Sequence, residues 1–266
     1  MEFNKGGNMS GEFNKEYIVK YHDCSNNDFI DFGQLIRYTQ ETSTLHAQDV
    51  GCGSEYLNEN KCGWVLLENH CKVNEYLKVG DKFNIRTWVN SMDRLYAIRH
   101  YEIKDMNGNI ILQSYTKWIL YSFERVRPIK IPQEVNDMFI YSTEKTINID
   151  NIEFEKEQSD TCKTENSIVL YKDVDTNWHM NNVSYITTVM DIMEKNFLDL
   201  YEVSECKVEY RHQLLHNDKF EVNINKLNEF EYIYGIKKIY TDNEKTAKGN
   251  NANIYIKWRR RSESNN

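Results

Sequence analysis

The sequence predicts an α+β protein made of two repeats, each a long helix wrapped by an antiparallel β-sheet. Three observations carry this prediction. A strand, a stretch of helical apolar spacing and a meander of strands occur in that order twice. The halves match at a fixed offset, with Tyr21, Asp23, Asn27 and Asp31 lying 150 positions before Tyr171, Asp173, Asn177 and Asn181. Further on, Asp81-Lys82-Phe83 precedes Asp218-Lys219-Phe220 by 137 positions, and Lys117-Trp118 is echoed by Lys257-Trp258.

Residues 1–16, where Glu-Phe-Asn-Lys occurs twice among Gly and Ser, read as a mobile tail. The first unit is expected over 17–123. Residues 17–21 alternate as a short strand, and Asp31 followed by Gln34 is a helix-start signal. The helix is expected to run to about Gln48, with Gly51 and Gly53 as its stop. Strands follow around 64–73, 82–91, 95–104 and 110–122, rich in Val, Ile, Tyr and Trp. Gly80-Asp81 and Asn107-Gly108 are the turns between them.

Pro128 and Pro132, the two prolines, fall in a charged section over 124–166 that reads as a linker. The second unit spans 167–261, followed by a short tail over 262–266. It opens with a strand at 167–171 and a polar turn. A helix then extends from Val183 to about Leu200, with Val183, Ile186, Met190, Met193 and Phe197 along one face. Its strands are expected at 205–215, 219–228, 232–240 and 252–259.

Composition excludes several classes. The chain has 266 residues and a formal net charge of -8, which argues against general nucleic-acid binding. No run approaches the ~18 apolar residues of a membrane span, and the first 16 residues lack a signal-peptide core. The cytoplasm is the expected compartment. Six cysteines without a CxxC pair read as free thiols, so no metal and no cofactor is expected. Abundant Asn, Lys, Ile and Tyr look like the usage of an AT-rich bacterial genome.

The chemistry concentrates in 171–182, just ahead of the second helix. In a strand conformation Asp173, Asp175, Asn177 and His179 would project to one side. The repeat then acts as a subtraction. Ser25 stands where the second half has Asp175, and Phe29 where it has His179, so the first copy lacks the ionisable groups. This predicts one functional site per chain, in the second half. Asp173, matched by Asp23, reads as structural.

The run Asp173-Val174-Asp175-Thr176-Asn177-Trp178-His179-Met180-Asn181-Asn182-Val183-Ser184-Tyr185 resembles a segment of the plant and bacterial acyl-acyl-carrier-protein thioesterases. Their active-site motif reads Asp-Leu-Asp-x-Asn-x-His-x-Asn-Asn-x-x-Tyr. The likeness extends to 21–53 and to Val208-Glu209-Tyr210-Arg211. It implies a double hotdog fold and hydrolysis of fatty acyl thioesters on acyl carrier protein, with release of free fatty acid. It also implies catalytic roles for Asp175, Asn177 and His179. The family carries a further Glu just after Tyr-Arg-x, followed in plant members by a Cys; here Gln213 and Leu214 occupy those positions.

Leu214 cannot serve as a thiol nucleophile, and the Gln213 amide can hold a water but cannot take its proton. Asp175 is therefore expected to activate water or attack directly, with Asn177 placing its amide near the thioester carbonyl or fixing a neighbour. His179 would act as general acid or base. Free amides at the helix start, near Asn181, Asn182 and Val183, would serve the oxyanion. Phe32, Leu35, Ile36, Thr39 and Ser43 on the first helix are the expected acyl pocket, in the half without a catalytic set.

The implied partner is acyl carrier protein with its phosphopantetheine-linked acyl chain. That carrier is acidic, so Arg125, Arg127, Lys130 and Arg211 are its candidate contacts. The chain already holds a pair of units, so monomer and homodimer both fit. Two other readings stand beside this one. They are an acyl-coenzyme A thioesterase and a non-enzymatic acyl-thioester-binding protein, the latter favoured by Gln213.

Overall fold

The structure is a computed structural model that describes residues 11–25, 28–147, 154, 163–241 and 248–261. The chain divides into two units. One takes the residues up to Leu66 and Asn74–Asn148, and the other takes Leu67–Val73 and the chain from Ile149 onward.

The first unit begins with strand β1 (Glu12–Ile18), earlier than the expected start at 17. Charged residues on its outer side hid the alternation, while Phe13 stacks on His46 and Tyr17 bonds Thr42 on its inner side. The boundary at 16 is corrected accordingly; residues 1–10, like 262–266, lie outside the described residues. Helix α1 (Phe32–Asp49) starts as the sequence predicts. Asp31 is its N-cap, with Oδ1 accepting from Gly33 N at 2.8 Å. Gly51 ends it at φ +88°, a left-handed conformation that a side chain would strain. A short helix α2 (Ser54–Glu59), not foreseen, precedes strand β2 (Cys62–Val73), whose residues divide between the two units after Leu66.

Strands β3 (Lys82–Met92), β4 (Tyr96–Asp105) and β5 (Ile110–Ser122) match the expected ranges to within a residue or two. They form an antiparallel sheet in the order β1-β3-β4-β5, and α1 packs against β1 and β3. Phe83, Ile85, Trp88, Ile103 and Leu112 are fully buried there, with Leu35 and Ile36 from α1. The section expected as a linker is partly folded onto this unit. Strand β6 (Arg127–Ile129) pairs with β5, and helix α3 (Gln133–Met138) buries Val135 beside Cys52, Val89 and Phe139. Val135 and Phe139, with Ile131 and Met138 packed against them, supply its apolar contacts. Residues 148–153 and 155–162 of that section lie outside the described residues.

The second unit repeats the plan with strand β7 (Lys163–Ile168), slightly earlier than expected. Helix α4 (Asn182–Asp191) buries Val183, Tyr185, Ile186 and Val189. The expected single helix to Leu200 is broken. The chain turns at 192–194 and restarts as α5 (Lys195–Leu200), where Phe197 stacks on Tyr201 at 4.7 Å and meets Trp258 edge-on at 5.0 Å. That aromatic anchoring redirects a helix that contains neither Gly nor Pro. Strands β8 (Tyr201–Tyr210), β9 (Lys219–Lys226), β10 (Glu231–Lys238) and β11 (Ala252–Arg260) complete the unit. Their order is β8-β11-β10-β9-β7, and the Leu67–Val73 part of β2 pairs with β8.

The repeat holds bond by bond. Cys24 bridges Ile30 as Val174 bridges Met180, and Ser25 N donates to the Phe29 carbonyl as Asp175 N does to that of His179. Ile30 N donates to the Leu77 carbonyl as Met180 N does to that of Leu214. Asn27, the sequence counterpart of Asn177, lies outside the described residues. Among the described residues no helix is long and apolar enough to cross a membrane.

Candidate active site

The polar stretch is the turn expected ahead of the second helix, and it closes on itself, so its four polar side chains are not laid out along one face of an extended strand. Tyr171–Asp173 forms a 3-10 turn, and the chain then doubles back to the Val174–Met180 bridge. Asp175 explains why. Its Oδ1 accepts from Asn177 N at 2.8 Å and from His179 N at 3.2 Å, which satisfies two turn amides with one carboxylate oxygen. Asp175, Asn177 and His179 are thereby held in one loop of five residues. Asp173 does a different job, as predicted: its Oδ2 accepts from Leu170 N at 3.0 Å, and its carbonyl accepts from Asn181 N and Ser184 Oγ.

Residues 213–215 run alongside this loop. Met180 N donates to the Leu214 carbonyl at 2.7 Å, and His179 forms an antiparallel bridge with Leu215. Gln213 is therefore exposed on a pinned backbone beside the catalytic candidates. Leu214 is fully buried, and its N–H donates to the Tyr185 hydroxyl at 3.1 Å. Burial pushes the Tyr185 pKa up, so the hydroxyl stays neutral. The motif ends on this residue, but its spacing alone gives the hydroxyl no role. The subtraction that isolated Asp175 and His179 also isolates Tyr185, because Leu35 stands at its place in the first unit.

The expectation of free amides at the helix start is corrected for two of three positions. Asn181 N donates to the Asp173 carbonyl, and Val183 N donates to the Asn181 Oδ1 at 2.9 Å. Asn181 is the N-cap of α4, and capping consumes the donors that an oxyanion would need. Among the described residues, only Asn182 N of the three meets no acceptor.

Trp178 sits in the left-handed region at φ +63° while 56% exposed, packed against Tyr171 and His216. Its counterpart Asp28 adopts φ +60°, which a short polar residue tolerates far better. The second unit thus holds a bulky ring in a strained backbone next to its polar set. Replacing Trp178 by Asn is expected to raise the unfolding free energy by roughly 1 kcal/mol, because the left-handed penalty falls and little buried contact is lost. Urea denaturation of both proteins checks the sign.

The other candidates fall into place separately. Phe32, Leu35, Ile36 and Thr39 are buried along α1, and Ser43 is half-buried with its hydroxyl donating to the Gln40 carbonyl. The buried stripe of α1 is apolar at first and turns polar at Thr39, Thr42 and His46. Arg125, Arg127 and Lys130 line a pocket of about 620 Å³ in the first unit, together with Arg94 and Glu124. Arg211, in the second unit, is already engaged by Glu209 at 3.3 Å. Among the described residues no cluster of His, Cys, Asp or Glu is placed to hold a metal.

Comparison with known proteins decides the family. The model of the acyl-ACP thioesterase N-terminal domain matches residues 10–139, and that of the C-terminal domain matches residues 155–260. The chain belongs to the acyl-ACP thioesterase family. Among curated relatives it is 24% identical over 225 residues to the chloroplastic oleoyl-acyl carrier protein thioesterase of Coriandrum sativum. That alignment covers 77% of this chain and 60% of the relative. A chloroplastic acyl-[acyl-carrier-protein] hydrolase of Cuphea viscosissima is 26% identical over 196 residues, covering 67% of this chain and 46% of the relative. The chain thus spans about three fifths or less of the length of these curated relatives.

The fold is that of the acyl-ACP thioesterases, two hotdog units in one chain. An acyl-ACP thioesterase from Bacteroides thetaiotaomicron superimposes with a TM-score of 0.82 at 19% identity, covering 94% of this chain and 98% of that one. The 12:0-ACP thioesterase of Umbellularia californica gives 0.78 at 16% identity, covering 96% and 100%. In this thioesterase family member the N-terminal domain model extends to residue 139, one residue past the end of α3.

Proposed function

We propose that the chain hydrolyses fatty acyl thioesters of acyl carrier protein and releases the free fatty acid. The observation that supports this best is the loop in which Asp175, Asn177 and His179 are gathered, in the half matched by the C-terminal family domain. One oxygen of Asp175 braces the turn. The other is available to orient or deprotonate a water, or to attack the thioester carbonyl. His179 donates or accepts the proton that the thiolate and the tetrahedral intermediate exchange. The Asn177 amide and Asn182 N–H are the donors for the developing oxyanion. Gln213 positions the water without taking its proton.

The carrier's acidic surface and phosphopantetheine phosphate are complemented by the first unit's cations, Arg94, Arg125, Arg127 and Lys130. Arg211, held by Glu209, has less charge to offer. The apolar part of the α1 stripe, Phe32, Leu35 and Ile36, with Thr39 at its polar end, is the proposed wall for the acyl chain. A second reading is a binder of acyl thioesters without turnover, favoured by Gln213 in place of the family carboxylate.

Purified protein assayed on acyl-carrier-protein and acyl-coenzyme A substrates of several chain lengths tests both. Turnover of the carrier-linked substrates at higher kcat/KM is the expected result. Equal or better turnover of coenzyme A substrates would reject the carrier assignment, and tight binding without thiol release on any substrate would establish the binder.

A further inference from the structure

The first unit buries a guanidinium that has no counter-charge among the described residues. Arg99, on β4, is 7% exposed. Its Nη1 donates to His46 Nδ1 at 2.8 Å and to Thr87 Oγ1 at 3.2 Å, and the Phe139 ring centre lies 5.9 Å from its carbon. None of these groups is negative. Burial, and then the charge of Arg99, pushes the His46 pKa down to about 3, so the imidazole is neutral at ordinary pH. It accepts from Arg99 at Nδ1 and so carries its proton on Nε2. Among the described residues no carboxylate stands within ion-pair distance of Arg99, and no hydrogen bond reaches its Nε or Nη2.

A buried cation is ordinarily paired, because leaving water without a counter-ion is expensive. Here the partners are an imidazole, a hydroxyl and a ring. The unused Nε and Nη2 lie on one edge of the guanidinium, the edge that grips a carboxylate with two parallel hydrogen bonds. The surroundings are apolar. Phe139 meets both His46 and Arg99, and belongs to a buried cluster with Cys52, Val89 and Val135. Partly exposed Trp64 and Met92 pack against that cluster, so its apolar surface is reachable.

We propose that Arg99 receives the carboxylate of an aliphatic acid, which makes the first unit a binding site for free fatty acid. The carboxylate head rests on Arg99 and His46 alone. The choice of a fatty acid as the natural ligand rests on the hydrolase reading, since that reaction releases one. The half that lacks the catalytic set would then sense the product of the half that keeps it.

Decanoate is the probe, titrated calorimetrically into the full chain after removal of bound lipid, with decanol and decyltrimethylammonium as controls. Decanoate is expected to bind saturably and raise Tm, with decanol and the cation at least tenfold weaker. Arg99→Met, which keeps volume and removes the charge, should weaken decanoate at least tenfold and leave decanol unchanged. Should that variant fail to fold, Arg99→Lys keeps the charge but loses the two-pronged edge, and a severalfold weakening is expected. Undiminished decanoate affinity in the folded variant, or decanol binding as tightly as decanoate, overturns the site. Asp175→Asn should bind decanoate as the parent does. If no thioester is turned over but binding still depends on Arg99, the site stands and the hydrolase reading alone falls.

Discussion

Asp175→Asn is expected to lower acyl-thioester turnover by about 100- to 10,000-fold, the range for loss of a positioned proton-transfer group, while the second unit stays folded. The substitution is chosen for its geometry. Asn keeps an oxygen where Asp175 Oδ1 accepts from the amides of Asn177 and His179, so the turn retains its bracing. What it removes is the negative charge and the capacity to take a proton. Asp175→Ala removes the bracing as well and should therefore lower stability by about 1–3 kcal/mol in addition, as two turn amides lose their acceptor. His179→Ala is expected to fall in the same range of activity. If Asp175 and His179 work on one proton path, the double variant should be no slower than the worse single variant by more than a few fold. Near-normal kcat in Asp175→Asn, with an unchanged unfolding midpoint, would remove Asp175 from the chemistry and leave it as a turn residue.

Much of the fold is legible in the sequence because its signals are local. Asp31 caps α1, Gly51 stops it, and Asn107-Gly108 turns β4 into β5 with Gly108 at φ +90°. The failures have a common origin in contacts that are distant in sequence. Strand β1 is defined by pairing with β3, and its charged outer face conceals it. Section 124–147 is folded because Val135 and Phe139 find Cys52 and Val89. The helix breaks at 192–194 because Phe197 is claimed by Tyr201 and Trp258. At the site, the repeat singles out Asp175 and His179, whose places in the first unit hold Ser25 and Phe29. It could not show that the amides of Asn181 and Val183 are consumed by capping, since that depends on where the Asp173 carbonyl and the Asn181 side chain point.

Tyr185→Phe is expected to cost about 1–3 kcal/mol of stability, because it strips the buried Leu214 N–H of its acceptor. The loss should reach activity too. Leu214 carries Gln213 on one side and pairs through its carbonyl with Met180, so a loosened 213–215 segment moves the Gln213 amide, proposed to hold the water, relative to Asp175. A fall in kcat of roughly tenfold with KM nearly unchanged is the expected pattern for a residue that positions the site without touching the acyl chain. The pH dependence supplies a separate check. Burial raises the Tyr185 pKa above its ordinary 10.0, so the folded state holds this proton where the unfolded chain releases it. The resulting stabilisation is fully present below pH 10 and is lost as pH rises through the folded value. The stability gap between the parent and Tyr185→Phe should accordingly narrow above pH 10 and stay constant from pH 6 to 9. Leu35 at the equivalent place in the first unit shows that the helix can pack without a hydroxyl there. Tyr185→Leu should therefore fold, and a Tyr185→Leu protein with full kcat would mean that the 213–215 segment needs no tether from α4.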